Sequence, residues 1–195
     1  MKKTFTTLFL LLFLLTTITA LGQDSPISKG AMLIGGSVSF ASMSGDLYED
    51  DGDKATQFQF SPTYYYFVTK GFACGAKFAY LSQSKGDWSS SILSIGPALG
   101  YFIDTGNEKI YPYLGVAYTF DSSKDEDSSE GGYEYKATGS HLIFGLGAAF
   151  MLSDHLAVIP EIAYNLVTLE PDETDAESYD GNIFMISIGL AGFLW

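Results

Sequence analysis

From about residue 31 onward, bulky apolar side chains recur at every second position, and the positions between them carry Gly, Ala, Ser, Thr or Gln. A repeat of two marks β-strands, and the 3.6-residue period of an amphipathic helix is absent. Segments near 31–44, 56–68, 72–84, 90–103, 110–120, 136–152, 156–169 and 182–195 show the alternation, each bounded by turn-forming residues.

Charge is nearly missing from these segments. Only Lys77 and Glu161, with His141, lie well inside them, and Lys136 sits at an edge. In the fourth segment Leu93, Ile95, Pro97, Leu99 and Tyr101 alternate with Ser94, Gly96, Ala98 and Gly100. In the fifth, Leu114, Val116, Tyr118 and Phe120 alternate with Tyr113, Gly115, Ala117 and Thr119. A half-exposed soluble strand would place charged residues on its second face. Here one face is apolar and the other small or polar, which suits a cylinder that meets lipid outside and has a narrow interior. Closure also pairs every backbone polar group without water. The pattern therefore predicts an all-β fold: one eight-stranded antiparallel up-and-down transmembrane β-barrel. A secreted soluble binding barrel is the alternative.

Composition sharpens the picture. Of 195 residues, 47 % are hydrophobic and only 17 % charged, against roughly 25 % charged in soluble domains, so intrinsic disorder is excluded. The net charge is −13, and all 10 basic residues are Lys. Such a chain lacks the basic stripe and the Arg forks that read nucleic acid, and no nucleic-acid partner is expected. Most of the 23 acids fall in the first, third, fifth and seventh connections: Gly45–Lys54, Lys85–Ser89, Asp121–Tyr135 and Glu170–Gly181. An up-and-down sheet gathers these at one end. The other end is left with short turns at Thr69–Gly71, Asp104–Lys109 and Ser153–His155.

The N-terminus carries Lys2 and Lys3, an apolar run Leu8–Leu15, then small and polar residues to Gly22. This is the layout of a secretory signal peptide over residues 1–22, cleaved after Ala20 or Gly22 and leaving a barrel domain over 23–195. The apolar run is short for a membrane-spanning helix.

Aromatic residues form two groups. Tyr64, Tyr66, Phe72, Tyr101, Tyr111, Tyr113, Phe150 and Trp195 lie beside the short turns. Phe40, Tyr80, Trp88, Tyr118, Phe120, Tyr164 and Phe184 lie nearer the long connections. Two such rings are expected as interfacial girdles.

Lys77 and Glu161 both fall on the small face, about five residues in from the short-turn end. A lipid-facing Lys would cost roughly 2–4 kcal/mol near the midplane. The two are therefore expected in the lumen at similar depth, either in direct or water-mediated contact, as a plug, or as two separately hydrated charges. His141 and His155 are the only histidines, and Ser140 points away from His141. No catalytic group assembles, so no enzyme and no cofactor are expected. Glu49-Asp50-Asp51-Gly52-Asp53 is dense in oxygen ligands but lacks EF-hand spacing, which leaves divalent cations as a candidate partner of the acidic loops rather than a defined metal site. Cys74 cannot form an internal disulfide and is expected on the lipid face.

Eight alternating segments, long outer connections, tight inner turns and a last strand ending at Trp195 resemble the small outer-membrane β-barrel family, which includes outer membrane protein X and the barrel domain of outer membrane protein A. The resemblance covers nearly all of the mature chain and implies location in a Gram-negative outer membrane and assembly by the barrel machinery. Contact with outer-membrane lipid and lipopolysaccharide and a monomeric state are also expected, and no peptidoglycan-binding domain is expected after Trp195. In the family the last strand ends on an aromatic assembly signal; here Trp195 is one step out of register with Ile186, Ile188, Leu190 and Leu194. The expected role is structural or surface-interactive, through acidic extracellular loops. A narrow porin-like passive channel for small solutes or ions is the alternative.

Overall fold

The computed structural model describes residues 25–43, 55–127, 133–171 and 179–195. The leader at 1–22 and the acidic run at 49–53 lie outside the described residues. The chain forms eight strands: β1 Met32–Met43, β2 Ala55–Phe67, β3 Phe72–Lys85, β4 Trp88–Phe102, β5 Ile110–Asp127, β6 Glu134–Met151, β7 Leu156–Pro171 and β8 Tyr179–Leu194. Each pairs antiparallel with its neighbours in chain order, and β8 closes on β1 to complete a barrel. No helix occurs among the described residues.

The two faces sort as the alternation requires. Along β4, Leu93 and Ile95 are 55 % and 47 % exposed, while Ser94 between them is 6 % exposed. Phe58, Leu114 and Phe144 are exposed on the outside, and the small residues Ala98, Ala117, Ala149, Ala163 and Ala191 are buried inside. Cys74 pairs with the outward Tyr66 and is partly exposed. In β8, Leu194 points out and Phe193 is fully buried. That fixes the strand's parity, and Trp195 packs against the interior cluster instead of joining an outer ring.

Four further expectations change. The connection expected over Lys85–Ser89 is a two-residue turn, Gly86-Asp87, because Lys85 pairs with Trp88. Gly86 has a φ of 54°, which costs a residue without a side chain little. β5 and β6 run well past the expected ends, pairing from Asp121↔Gly139 to Glu126↔Glu134. The acids Asp121, Asp125, Glu126, Asp127 and Glu134 therefore belong to a hairpin ladder, not to a loop. Backbone pairing in water needs no apolar face, so the alternation gave no sign of it. Tyr111 and Tyr113, expected in a girdle, are 3 % and 5 % exposed and point inward. Last, the interior is not small throughout. At the short-turn end Tyr65, Phe67, Phe102, Tyr111, Tyr113 and Phe193 fill it.

Residues 25–31 seal that end. Ile27 is fully buried against the aromatic floor. Its carbonyl accepts from Gly71 N at 2.8 Å, and Gly30 N donates to Phe67 O at 2.8 Å. The wall is uneven around its circumference. The β1–β8 register covers Met32–Gly36 against Leu190–Leu194, whereas β5 and β6 pair from Ile110↔Phe150 to Glu126↔Glu134.

Candidate functional site

Two charged side chains singled out from the sequence meet inside the barrel. Lys77 on β3 and Glu161 on β7 come from facing walls, and Lys77 Nζ lies 3.3 Å from Glu161 Oε1. Their side chains are 19 % and 18 % exposed. A third member joins them: Tyr113 Oη donates to Glu161 Oε2.

The register explains how Tyr113 reaches across a strand. Tyr113 pairs with Gly147, and Gly147 pairs with Glu161, so the three form one row over β5, β6 and β7. The middle position is empty of side chain. A Cβ at Gly147 would stand 2.7 Å from Tyr113 Cε1, so only glycine lets the ring lie over β6 and meet the carboxylate. Glu161 thus has an acceptor role on both oxygens, one toward an ammonium and one toward a phenol. That is what a part-buried carboxylate needs to offset its lost hydration.

Below this row the aromatic floor is continuous. Phe102 stacks on Tyr113 with ring centroids 4.9 Å apart, and meets Phe67 and Tyr65 edge-on at 5.2 Å and 6.2 Å. The space left at the level of Tyr65, Lys77, Gly145 and Glu161 is about 10 Å³, at the lower limit of what admits a single water.

Above the row the lumen is polar. Asp121 faces in from β5, with Oδ2 3.4 Å from His141 Nε2 and Oδ1 3.4 Å from Thr119 Oγ1. Asn165 is buried at the neighbouring strand, with Nδ2 3.9 Å from Met185 Sδ and Oδ1 without a protein partner. Ser140 points to the outer face, away from His141. His155 lies in the β6–β7 turn, its Nδ1 3.1 Å from Phe193 O and its ring against Trp195. Among the described residues, no group of three or more His, Cys, Asp or Glu is placed to hold a metal.

Charges beyond the apolar belt pair with each other. At the short-turn end Lys70 Nζ lies 2.6 Å from Asp104 Oδ2. The ammonium and the Gly106 amide hold the Asp104 carboxyl below its ordinary range, and Asp104 holds Lys70 above its own. The same Asp104 accepts from Gly106 N at 2.9 Å, forming the side-chain turn expected of Asp-Thr-Gly-Asn. On the projecting β5–β6 hairpin, Lys124 pairs with Glu126 and Glu134, and Lys136 with Glu134. The two lysines keep the Glu134 carboxyl below its usual range.

Tyr113 was not legible as a site residue from its own neighbourhood. The signal lay in the register, which places it on one row with Gly147 and Glu161.

Comparison with known proteins agrees with this architecture. The profile of the family described as outer membrane protein beta-barrel domain matches residues 8–191. No curated protein matches in sequence. Among solved structures, the chain is similar to Neisserial surface protein A, with a TM-score of 0.54 and 18 % identity over 84 % of this chain and 99 % of that one. It is also similar to the outer membrane protein OprG from Pseudomonas aeruginosa, with a TM-score of 0.55 and 18 % identity over 87 % of this chain and 99 % of that one. At these identities the likeness is one of fold.

Proposed function

Because the chain belongs to the outer membrane protein beta-barrel domain family, we propose that it serves the outer membrane as a sealed, non-conducting barrel whose acidic outer connections act at the cell surface. One observation carries the reading: the lumen is closed at the short-turn end by Ile27, Phe67, Phe102 and Phe193 and crossed just above by Tyr113, Glu161 and Lys77. An eight-stranded barrel has an interior that side chains can fill, and here they do. In this reading the sealed lumen leaves the connections as the part of the chain that acts at the surface. The short-turn end faces the periplasm in this reading. The strand ends and connections of the opposite end, rich in Asp and Glu, face outward and meet lipopolysaccharide, other cells or divalent cations. Residues 1–22 act as the cleaved leader, and the barrel works as a monomer without catalysis.

Planar-bilayer recording tests this. Purified refolded protein is expected to give no steady ion steps. Sustained steps would establish the porin-like channel instead.

The membrane orientation of the outer face gives a second expectation. Leu146 is exposed between Leu114 and Ile162 in the outward row of β5, β6 and β7. Leu146→Arg puts a charge against lipid and should cost about 2–3 kcal/mol of folding free energy. Denaturant titration of folding into phospholipid vesicles reads this loss. A cost below about 0.5 kcal/mol, the usual size of a harmless surface change, would contradict the placement.

A further inference from the structure

The outer wall carries a notch that the lumen argument does not use. A cavity of about 370 Å³ opens across β5, β6 and β7, lined by Tyr118, Phe120, Thr138, Ser140, Thr168 and Glu170, with Asp121 and Gly139 at its back. The six lining residues named first share one parity, that of the outward face. The register sets them in rows: Phe120↔Ser140↔Thr168 and, one step further out, Thr138↔Glu170. Ser140 and Thr138 are short and stand between an aromatic wall and a carboxylate wall, and this creates the hollow.

Three chemistries meet there. Tyr118 and Phe120 are 41 % and 61 % exposed and pack edge-to-face at 5.1 Å, presenting aromatic surface. Thr168 donates to Asp180 Oδ1 at 2.9 Å, which leaves its oxygen free to accept. Glu170 supplies a carboxylate. No Lys lines the notch, so a phosphate would meet only negative charge. An alkyl chain would strand the hydroxyls and the carboxylate without partners. A sugar ring satisfies all three: its C–H face packs on aromatic rings, and its hydroxyls donate to carboxylate and hydroxyl oxygens.

The position selects the source of that sugar. Below the notch the same outward rows continue as Leu142, Phe144 and Leu146 on β6 and Leu166, Tyr164 and Ile162 on β7, the face that meets acyl chains. Beyond the notch lie the paired charges Lys124, Glu134 and Lys136. We propose that the notch binds the saccharide of a membrane-anchored glycolipid, with its acyl chains lying along the apolar rows beneath. This rests on the outer-membrane reading and deepens it by naming a lipid class for one face of the barrel.

The test uses the full chain refolded in phosphatidylcholine nanodiscs with and without the neutral glycolipid digalactosyl diacylglycerol, folding being checked separately by heat-modifiable gel migration. Lipid retained after detergent release is counted by native mass spectrometry. The wild type should keep glycolipid in preference to phosphatidylcholine. Ser140→Trp, which fills the notch, should lower glycolipid retention about tenfold and leave phosphatidylcholine unchanged. Glu170→Gln, which changes no volume, should lower it about fivefold, the size of one weakened charged hydrogen bond. Equal glycolipid retention by folded wild type and both variants would overturn the proposal, as would phosphatidylcholine held as firmly as glycolipid. Binding of the soluble galactose disaccharide with the affinity of the lipid would overturn the anchored source.

Discussion

Glu161→Ala is expected to destabilise the folded barrel by about 2–4 kcal/mol, with the loss read as a lower denaturant midpoint in lipid vesicles. Removing one partner of a buried ion pair typically costs about 3–5 kcal/mol because the other charge stays behind. Here both side chains keep nearly a fifth of their exposure, so lumen water recovers part of it. The change also removes the acceptor of Tyr113, a phenol already buried in the floor. Glu161→Gln should cost less, since its amide oxygen can still accept from the phenol. The double change Lys77→Met with Glu161→Ala should be milder than the sum of the two singles, because it leaves no lone charge. Strict additivity would mean that the ammonium and the carboxylate do not act as a unit.

Phe102→Ala should be costlier, at about 3–5 kcal/mol for an aromatic deleted from a packed interior. Phe102 is 2 % exposed and touches Tyr65, Phe67 and Tyr113 at once. Strand backbones cannot collapse inward to fill the space, because the hydrogen-bonded wall sets the barrel's radius. The same midpoint measurement checks this. A loss below about 1 kcal/mol, the size expected of an ordinary substitution, would show that the floor is loosely packed.

The outer face of this barrel was written plainly in the chain. Charge-free alternation at Leu93–Gly100 and Leu114–Thr119 separates lipid side from lumen side by parity alone, and the rarity of Lys77 and Glu161 within such strands marked both. The floor was hidden for the opposite reason. In Tyr64-Tyr65-Tyr66-Phe67 and Ile110-Tyr111-Pro112-Tyr113 both parities are bulky, so contrast vanishes where the lumen is stoppered. The bond from Tyr113 to Glu161 depends on strand register, which local composition does not encode. The projecting hairpin from Asp121 to Glu134 was missed because its two faces are both polar. Beyond its base, where Asp121 and Ala137 are buried, the ladder is held by backbone pairing, with the Lys124, Glu126, Glu134 and Lys136 ion pairs on its surface.

The short join between Met32–Gly36 and Leu190–Leu194 decides how the cylinder comes apart. A hoop has no free margin anywhere except where its two ends were brought together, and here the first and last strands share the fewest partners. Thermal breathing concentrates along that line, because parting it sacrifices the least. The chain's ends are also the last portions able to meet, since every other hairpin joins neighbours close in sequence while this join waits for the whole wall. The stitch that completes the vessel is therefore both the final one sewn and the first to give.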